Sequence, residues 1–507
     1  MPRRFWQFNA CCCDARGREL DHVNEARRRL LKQIIRLVLE KGVPCFVAGG
    51  YVRELVLGRQ GKDMDLVVPA GAIPLARSLA DATAGAFYVL DRDTDAARIV
   101  YSEPLEWTVD VAAMRAPDIV ADLRLRDFTI NAMAIDLHDV MDANPPILDP
   151  CNGRDDLRAG VLRAVSVESF QRDPVRLLRA VRFAAILDLT IEPETQSWIL
   201  RDADLLSQPS AERIRYELAL IVAADGAADH LRLLDRLGLL HPILPEVASL
   251  KGVSQSPPHV HDVFEHTLVT VSQAERLSRT NMARLDPDEA EYLSPFAQAL
   301  QAHFAQILCE GRTRATLLKF AAVLHDVGKP ATRQVDEHGG IRATGHEALG
   351  QLMAKEALRR LRFCSQEIRL ASTIVSHHMR PGWLLKAPPI TLRAVYRFFR
   401  DTGDAGVDVV ILALADQLAT RGETLERGHW RDYLQLAALM LDHYFNRPSQ
   451  AVDPPPLISG EDVMRTLRLK PGPEVGCLLE AVREAQASGA VSTREDALAF
   501  LQRYAGG

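Results

Sequence analysis

Residues 49–66 read GGYVRELVLGRQGKDMDL, and their reading decides the fold of the chain around them. The apolar run PCFVA at 44–48 precedes them and reads as a short buried strand. Two glycines then make a turn. Residues 51–57 read as a short helix with Val52, Leu55 and Val56 on one face, and Gly58 stops it. KDMDLVV at 62–68 reads as the next strand. A glycine pair at such a turn leaves backbone N–H groups free beside a helix N-terminus, a place suited to a triphosphate. Gly49 and Gly50 are therefore candidate nucleotide-binding residues, with Arg53 one turn further on. Asp63 and Asp65 lie two apart on a strand, so their carboxylates point to one face. At roughly 7 Å they repel by about 2 kcal/mol at an effective dielectric near 20. A divalent cation turns that cost into a gain, and Mg²⁺ takes carboxylate oxygens together with substrate phosphates. A lone Gly-Gly is usually only a turn and a lone D-x-D usually a solvated loop. Their order here is far more specific than either alone.

That order, AGGYVRELVLGRQGKDMDLVV at 48–68, resembles the head signature of the tRNA nucleotidyltransferase and poly(A) polymerase family, within the DNA polymerase β superfamily. The resemblance implies an α+β chain: an α/β nucleotidyltransferase head followed by mostly helical neck, body, HD and tail domains. It also implies template-independent addition of C, and of A, to the 3′ end of tRNA by two-metal phosphoryl transfer. CTP and ATP would be the substrates, tRNA the partner and Mg²⁺ the cofactor.

Further motifs extend the resemblance. EWTVDVA at 106–112 carries Asp110 at an alternating position, the candidate third carboxylate for the primer 3′-hydroxyl; an acid on an edge strand is the equal alternative. RLRDFTINAMAI at 124–135 is similar to the family's RRDFTINA stretch through Arg126 and Asp127, with Leu125 where the first Arg usually stands and Asn131 one turn on. Arg126 offers a fork for a phosphate or ribose oxygen, and Asp127 would orient it. The interval between Asp110 and Arg126 is short. In relatives that add the whole CCA end it is longer, so a CC-adding specialist enters the expectation. The spacing predicts a helix with Asp173 as N-cap and Pro174 at its first position. Arg176, Arg179 and Arg182 follow at three-residue intervals. A solvated face is the ordinary reading of such a stripe. The resemblance instead implies that Asp173 and Arg176 pair with the incoming base, Arg172 standing where the family has Glu, and that Arg179 and Arg182 bind the nucleotide.

Beyond a Pro-rich linker at 254–259, histidines accumulate. DVFEHTL at 262–268 opens with a D-x-x-E capping pattern and carries His266. LLKFAAVLHDVGK at 317–329 ends in His325 and Asp326; His346, His377, His378 and Asp416 follow. Singly, each histidine is more often a satisfied polar group than a ligand. Together they match the HD phosphohydrolase superfamily. This implies one metal on His266, His325, Asp326 and Asp416, and a second on His346 with His377 or His378. Mn, Fe, Ni, Co and Zn suit such ligands. Between these motifs, the acidic, Ala-rich stretch running to about Gly311 reads as an inserted surface segment.

Composition sets the bounds. Hydrophobic residues make up 47% and charged residues 25% of 507, ordinary for a globular chain of several domains, and the net charge of −6 confines any RNA site to a local basic patch. Eight irregularly spaced cysteines, three adjacent at 11–13, point to reduced thiols rather than a disulfide scaffold. The start lacks a signal-peptide pattern and no apolar run spans a membrane, so a cytoplasmic location is expected. The expected domains are an N-terminal helix (1–42), head (43–150), neck (151–256), HD domain (257–447) and a helical tail (448–507) after the AVDPPP linker. The alternatives are a CC-only or A-only adding enzyme, a poly(A) polymerase, and an HD-type metal phosphohydrolase whose head only binds RNA.

Overall fold

The computed structural model describes residues 15–59, 61, 63–103, 105–279 and 285–505, with side chains from residue 25 onward. The adjacent cysteines 11–13 lie outside the described residues. The chain divides into two compact units, one of described residues up to Arg176 with Asp188–Asp202, the other of Leu177–Leu187 with everything from Ala203.

The first unit is built on a mixed six-stranded sheet. Helix α1 (Ala15–Lys41) leads into β1 (Phe46–Ala48), α2 (Gly50–Val56), β2 (Asp63–Val68), α3 (Ala72–Thr83), β3 (Ala86–Asp91), β4 (Ala96–Tyr101), β5 (Trp107–Ala113) and β6 (Ala134–Asp136). The strand order is β3-β4-β5-β2-β1-β6, and only β2 and β5 run parallel. That pair sits at the centre, with Asp65 directly beside Asp110. Alternation splits the strands into two faces. Met64, Leu66, Val109 and Val111 are fully buried on one, together with Leu75 and Leu79 of α3, while Asp63, Asp65 and Asp110 occupy the other. Asp110 is thus on an interior strand, which removes the edge-strand reading.

In the second unit, helices Val263–Ser278, Arg314–Leu324, His346–Arg360, Ser365–His377 and Gly406–Arg421 form one packed body. Close approach at Gly328 shapes it. A Cβ there would lie 2.3 Å from the His346 carbonyl oxygen, so only glycine lets the turn after Asp326 meet the start of the His346 helix. The C-terminal helices have a core of their own, from Ile458 and Val463 to Leu501. They hold to the body through Tyr396 to Glu480 (2.9 Å) and Arg397 to Glu484 (2.6 Å).

Three expectations need correction. The acidic stretch to Gly311 is not a surface insertion in its described part. Leu293, Phe296, Leu300 and Phe304 are buried, and His303 meets Asp408 at 3.1 Å, which Arg314 also clasps. Alanine and acid content hid the spacing of these apolar residues. The segment 254–259 is more than a linker, because Gln255 and His259 wall a cavity over the histidine cluster. The helix placed at Asp173–Pro174 begins at Arg176. The turn before it closes from the Arg176 amide to the Asp173 carbonyl (3.0 Å), so Asp173 is not its N-cap and Pro174 is not its first residue.

Candidate active sites

The first site lies on the open face of the sheet. Gly49 has φ 71°, a conformation glycine adopts without steric cost, and a Cβ there would lie 2.9 Å from both the Asp65 carboxylate and the Arg126 guanidinium. The glycine therefore lets β1 close onto these two groups. Its amide is not free for phosphate, since it donates to the Met133 carbonyl (3.2 Å), and the Gly50 amide bonds the Asp65 carboxylate. The expectation of two unclaimed amides is corrected: the turn is used for close packing of the carboxylate strand. Arg53 reaches from α2 to Asn131 Oδ1 (2.6 Å) and also holds Glu54, which ties the glycine turn to the 124–135 stretch.

Asp65 is flanked by Asp63 and Asp110. Burial first, then Asp110 and Asp63, push its carboxyl above the ordinary value, against the opposing pull of Arg126. Such a cluster of hard oxygen donors on one face fits a divalent cation. Asp110 is gripped by Arg98 through two bonds of 2.7 and 2.8 Å. Sequence reasoning missed Arg98, although its place directly opposite Asp110 on the neighbouring strand follows once the β4–β5 register is known.

The remaining candidates divide. Arg126 pairs with Asp122 at 3.6 Å, not with Asp127. Asp127 instead accepts from its neighbour's amide, that of Phe128 (2.8 Å), and from the Asn131 side chain (3.1 Å), so it braces the loop rather than orienting the arginine. Arg176 is buried and donates to the carbonyls of Leu125 (3.0 Å) and Arg126 (3.2 Å), holding that loop from behind. Arg179 and Arg182 belong to the second unit, where both face the buried Glu217, at 4.0 and 2.6 Å.

The second site is the histidine cluster. Asp326 is its hub, 3.3 Å from His266, 3.1 Å from His325, 3.4 Å from His346 and 3.9 Å from His378. Asp416 reaches His266 at 3.0 Å. Adjacent His377 is not part of it: His378 takes the inward position that caps the helix, and burial beside Arg380 lowers the pKa of His377. Three rings donate Nδ1–H to carbonyls, His325 to Ala322, His346 to Ala343 and His378 to Val375, at 2.7–2.8 Å. Such bonds fix the tautomer and turn each Nε2 lone pair inward. The Nε2 atoms of His266 and His325 then face each other at 3.3 Å, as do those of His346 and His378. Between His346 and His378, both with Nδ1–H donated to a carbonyl, two lone pairs at that distance repel, whereas nitrogens about 2.1 Å from one ion stand roughly this far apart. Both oxygens of buried Asp326 also lack a hydrogen-bond donor of good geometry. The donor set fits metal. Without one, burial disfavours charge on His325, yet Asp326 and Asp416 raise its pKa to about 10.

Above the cluster opens a cavity of about 660 Å³, walled by His259, Lys329, Arg333, Trp383, Arg421 and others. Lys329 contacts Asp326 at 2.6 Å. Neither His259 nor Lys329 stood out in the sequence; the G-K pair closing the His-Asp turn was the available signal for the lysine.

Family models match three stretches: the poly A polymerase head domain at 45–163, the probable RNA and SrmB-binding site of polymerase A at 188–251, and the HD domain at 263–421. The chain is 34% identical to the A-adding tRNA nucleotidyltransferase of Deinococcus radiodurans, over 90% of this chain and 95% of that one. It is 33% identical to the CC-adding tRNA nucleotidyltransferase of Thermus thermophilus, over 91% and 94%. Among solved structures, a CCA-adding enzyme with ATP shares the fold at a TM-score of 0.62 and 20% identity, covering 96% of this chain and 98% of that one. Among the described residues no helix is long and apolar enough to cross a membrane. With identity spread over both units and across nine-tenths of its length, the chain belongs to the tRNA nucleotidyltransferase family.

Proposed function

We propose that the protein extends the 3′ end of tRNA with nucleotides from CTP or ATP, and that Asp63, Asp65 and Asp110 carry the reaction. The observation behind this reading is their convergence on one face of two adjacent parallel strands. Membership in the family implies a divalent metal. Magnesium on Asp63 and Asp65 would neutralise the triphosphate and activate the attacking hydroxyl. Asp110, fixed by Arg98, orients the 3′-hydroxyl. Arg126, beside Asp65, faces phosphate or ribose oxygens. Arg53 holds Asn131 and the strand turn in place. Asp173, Arg176, Arg179 and Arg182 select the nucleotide, Arg176 through the loop it supports. Relatives of both the A-adding and CC-adding kinds support a chain that performs one part of CCA synthesis. The test supplies purified protein with tRNA ending before CCA or after CC, and labelled CTP or ATP. Extension by two C residues, by a single A, or by all three assigns the specificity; a long A ladder on any RNA, or no extension, overturns the reading.

A second activity is favoured by the facing Nε2 pairs. We propose that His266, His325, Asp326 and Asp416, with His346 and His378, hold transition-metal ions that hydrolyse a phosphoester. Lys329 and Arg333 would attract its charge to the cavity. Metal analysis of the purified protein, with p-nitrophenyl phosphate as probe, tests it. Absence of bound metal after incubation with Mn²⁺, Ni²⁺ or Co²⁺ would remove this reading.

A further inference from the structure

Two cysteines far apart in the sequence bring their sulfurs together in the histidine body. Cys309 ends the first strand of a hairpin, Ile307–Cys309 with Arg312–Thr313, and Cys364 precedes the helix Ser365–His377. Both are free and partly exposed. Their Sγ atoms and a Glu367 carboxylate oxygen lie within 4.8 Å of one another. A hydrogen bond with Cys364, ahead of burial, raises the pKa of the Cys309 thiol. Backbone geometry holds each residue in place. Cys309 faces Arg312 across a two-residue turn in which Glu310 and Gly311 both have positive φ, and Arg215 clasps the Glu310 carboxylate at 2.7 and 3.0 Å. Cys364 is the N-cap of its helix: its sulfur accepts from the Glu367 amide, while its own amide donates to the Glu367 carboxylate (3.2 Å).

Cysteines beside a glutamate suggest a metal site, but Glu367 argues against one here. It is 1% exposed, and its two oxygens accept from Arg312 at 2.7 and 2.9 Å. The guanidinium already neutralises the carboxylate and would repel a cation. Two thiols alone fall short of the four ligands of a structural zinc site. Adjacent thiols without a metal have a different chemistry, oxidation to a disulfide, and partly exposed sulfurs are open to the oxidant. Such bridges inside cells are ordinarily transient and redox-responsive rather than structural.

We propose that Cys309 and Cys364 form a reversible disulfide on exposure to hydrogen peroxide, tying the hairpin to the helix that leads to His378 and stabilising the body around the cluster. One sulfur attacks a peroxide oxygen: the S–O bond forms, the O–O bond breaks, and the other oxygen leaves as water with the thiol proton. The second sulfur then attacks the resulting sulfenic sulfur, and its proton departs with the displaced hydroxyl as a second water. Two thiols are oxidised and one peroxide is reduced. The bridge closes a loop that contains His325, Asp326 and His346, and a crosslink over such a loop restricts the unfolded chain. The assignment is independent of the reactions proposed for the carboxylates and for the histidine cluster. The test treats full-length reduced protein with hydrogen peroxide, blocks free thiols with iodoacetamide and maps bridges by mass spectrometry of a non-reducing digest. A peptide joining residues 309 and 364 should form, disappear with dithiothreitol, and be absent from Cys309→Ser and Cys364→Ser, the second of which keeps a residue able to cap the helix. The bridged protein should unfold roughly 5 °C above its reduced form, and neither serine variant should show the gain. The proposal falls if the two cysteines stay open to alkylation, if they oxidise to sulfinic acid or pair with other cysteines instead, or if the bridged protein melts no higher than the reduced one. It also falls if Zn²⁺ shields both thiols of the reduced protein from alkylation, which would make the cluster a metal site.

Discussion

The head and the histidine body solve the same problem, holding a cation, in opposite ways. In the head, the acids lie on a strand two residues apart, and a third stands beside them on the next strand. In the body, ligands more than a hundred residues apart in sequence meet where helix ends converge on Asp416 within the Gly406–Arg421 helix, brought together by interhelical packing and by the close contact at Gly328. A strand displays neighbouring side chains on one face by its own geometry. A helix bundle displays a ligand set only after its helices have docked. The head site should therefore tolerate local change in the body, and each site should fail alone.

Replacing both Asp63 and Asp65 by Ala tests that separation most severely. Nucleotide addition should fall at least ~10³-fold, with metal content of the histidine cluster unchanged and the unfolding temperature no lower than the parent's. Coupled loss at the cluster would break the contrast. The converse change, His325→Ala/Asp326→Ala, should abolish stoichiometric transition-metal binding measured by elemental analysis. Rates of tRNA extension should stay within about twofold, as expected of sites that share no side chain. Chelation of the parent protein should lower its melting temperature, because metal held only by the folded state stabilises it. Chelation of this variant should not.

A smaller effect probes the support of the head site. Arg98→Ala frees Asp110 to swing and should lower kcat roughly 10–100-fold with little change in the KM for nucleotide; a change confined to KM would place Arg98 at the nucleotide instead. The smallest effect concerns Asp65 itself. Its carboxyl is raised in the folded state, mainly by burial and also by Asp110 and Asp63, so the folded chain binds that proton more readily than the unfolded one. Its ionisation thus costs stability, a cost absent below the ordinary carboxylate value of 3.8 and one that grows as pH rises through the raised value of the folded state. Metal-free Asp65→Asn should melt about 1–2 °C above the parent at pH 7, the gap closing as pH falls toward 4. Mg²⁺ should raise the melting temperature of the parent more than that of the variant. A metal-free variant melting below the parent at pH 7 would show that the contacts with Arg126 and Gly50 outweigh the burial cost.

The contrast also explains what was legible beforehand. The strand-turn-helix-strand order around Gly49 and the D-x-D pair follow from local rules, and they stand where those rules put them. The free glycine amides did not survive, because an amide's partner comes from another strand, here Met133 on the approach to β6. The arginines of the stripe met partners that no local pattern names: Arg176 the loop at 125–126, Arg182 Glu217. Helical period puts side chains on a face but does not say what that face will meet.

Sequence by itself determined the head's strand and helix order, the shared side of Asp63 and Asp65, and the list of residues able to bind metal, since each depends on backbone period and side-chain chemistry. Tertiary structure decided that Asp110 stands beside Asp65 on an interior strand, that Arg98 clasps it, and that His378 rather than His377 turns inward. Those outcomes depend on strand pairing and helix docking, which join residues far apart along the chain through contacts that no local pattern encodes.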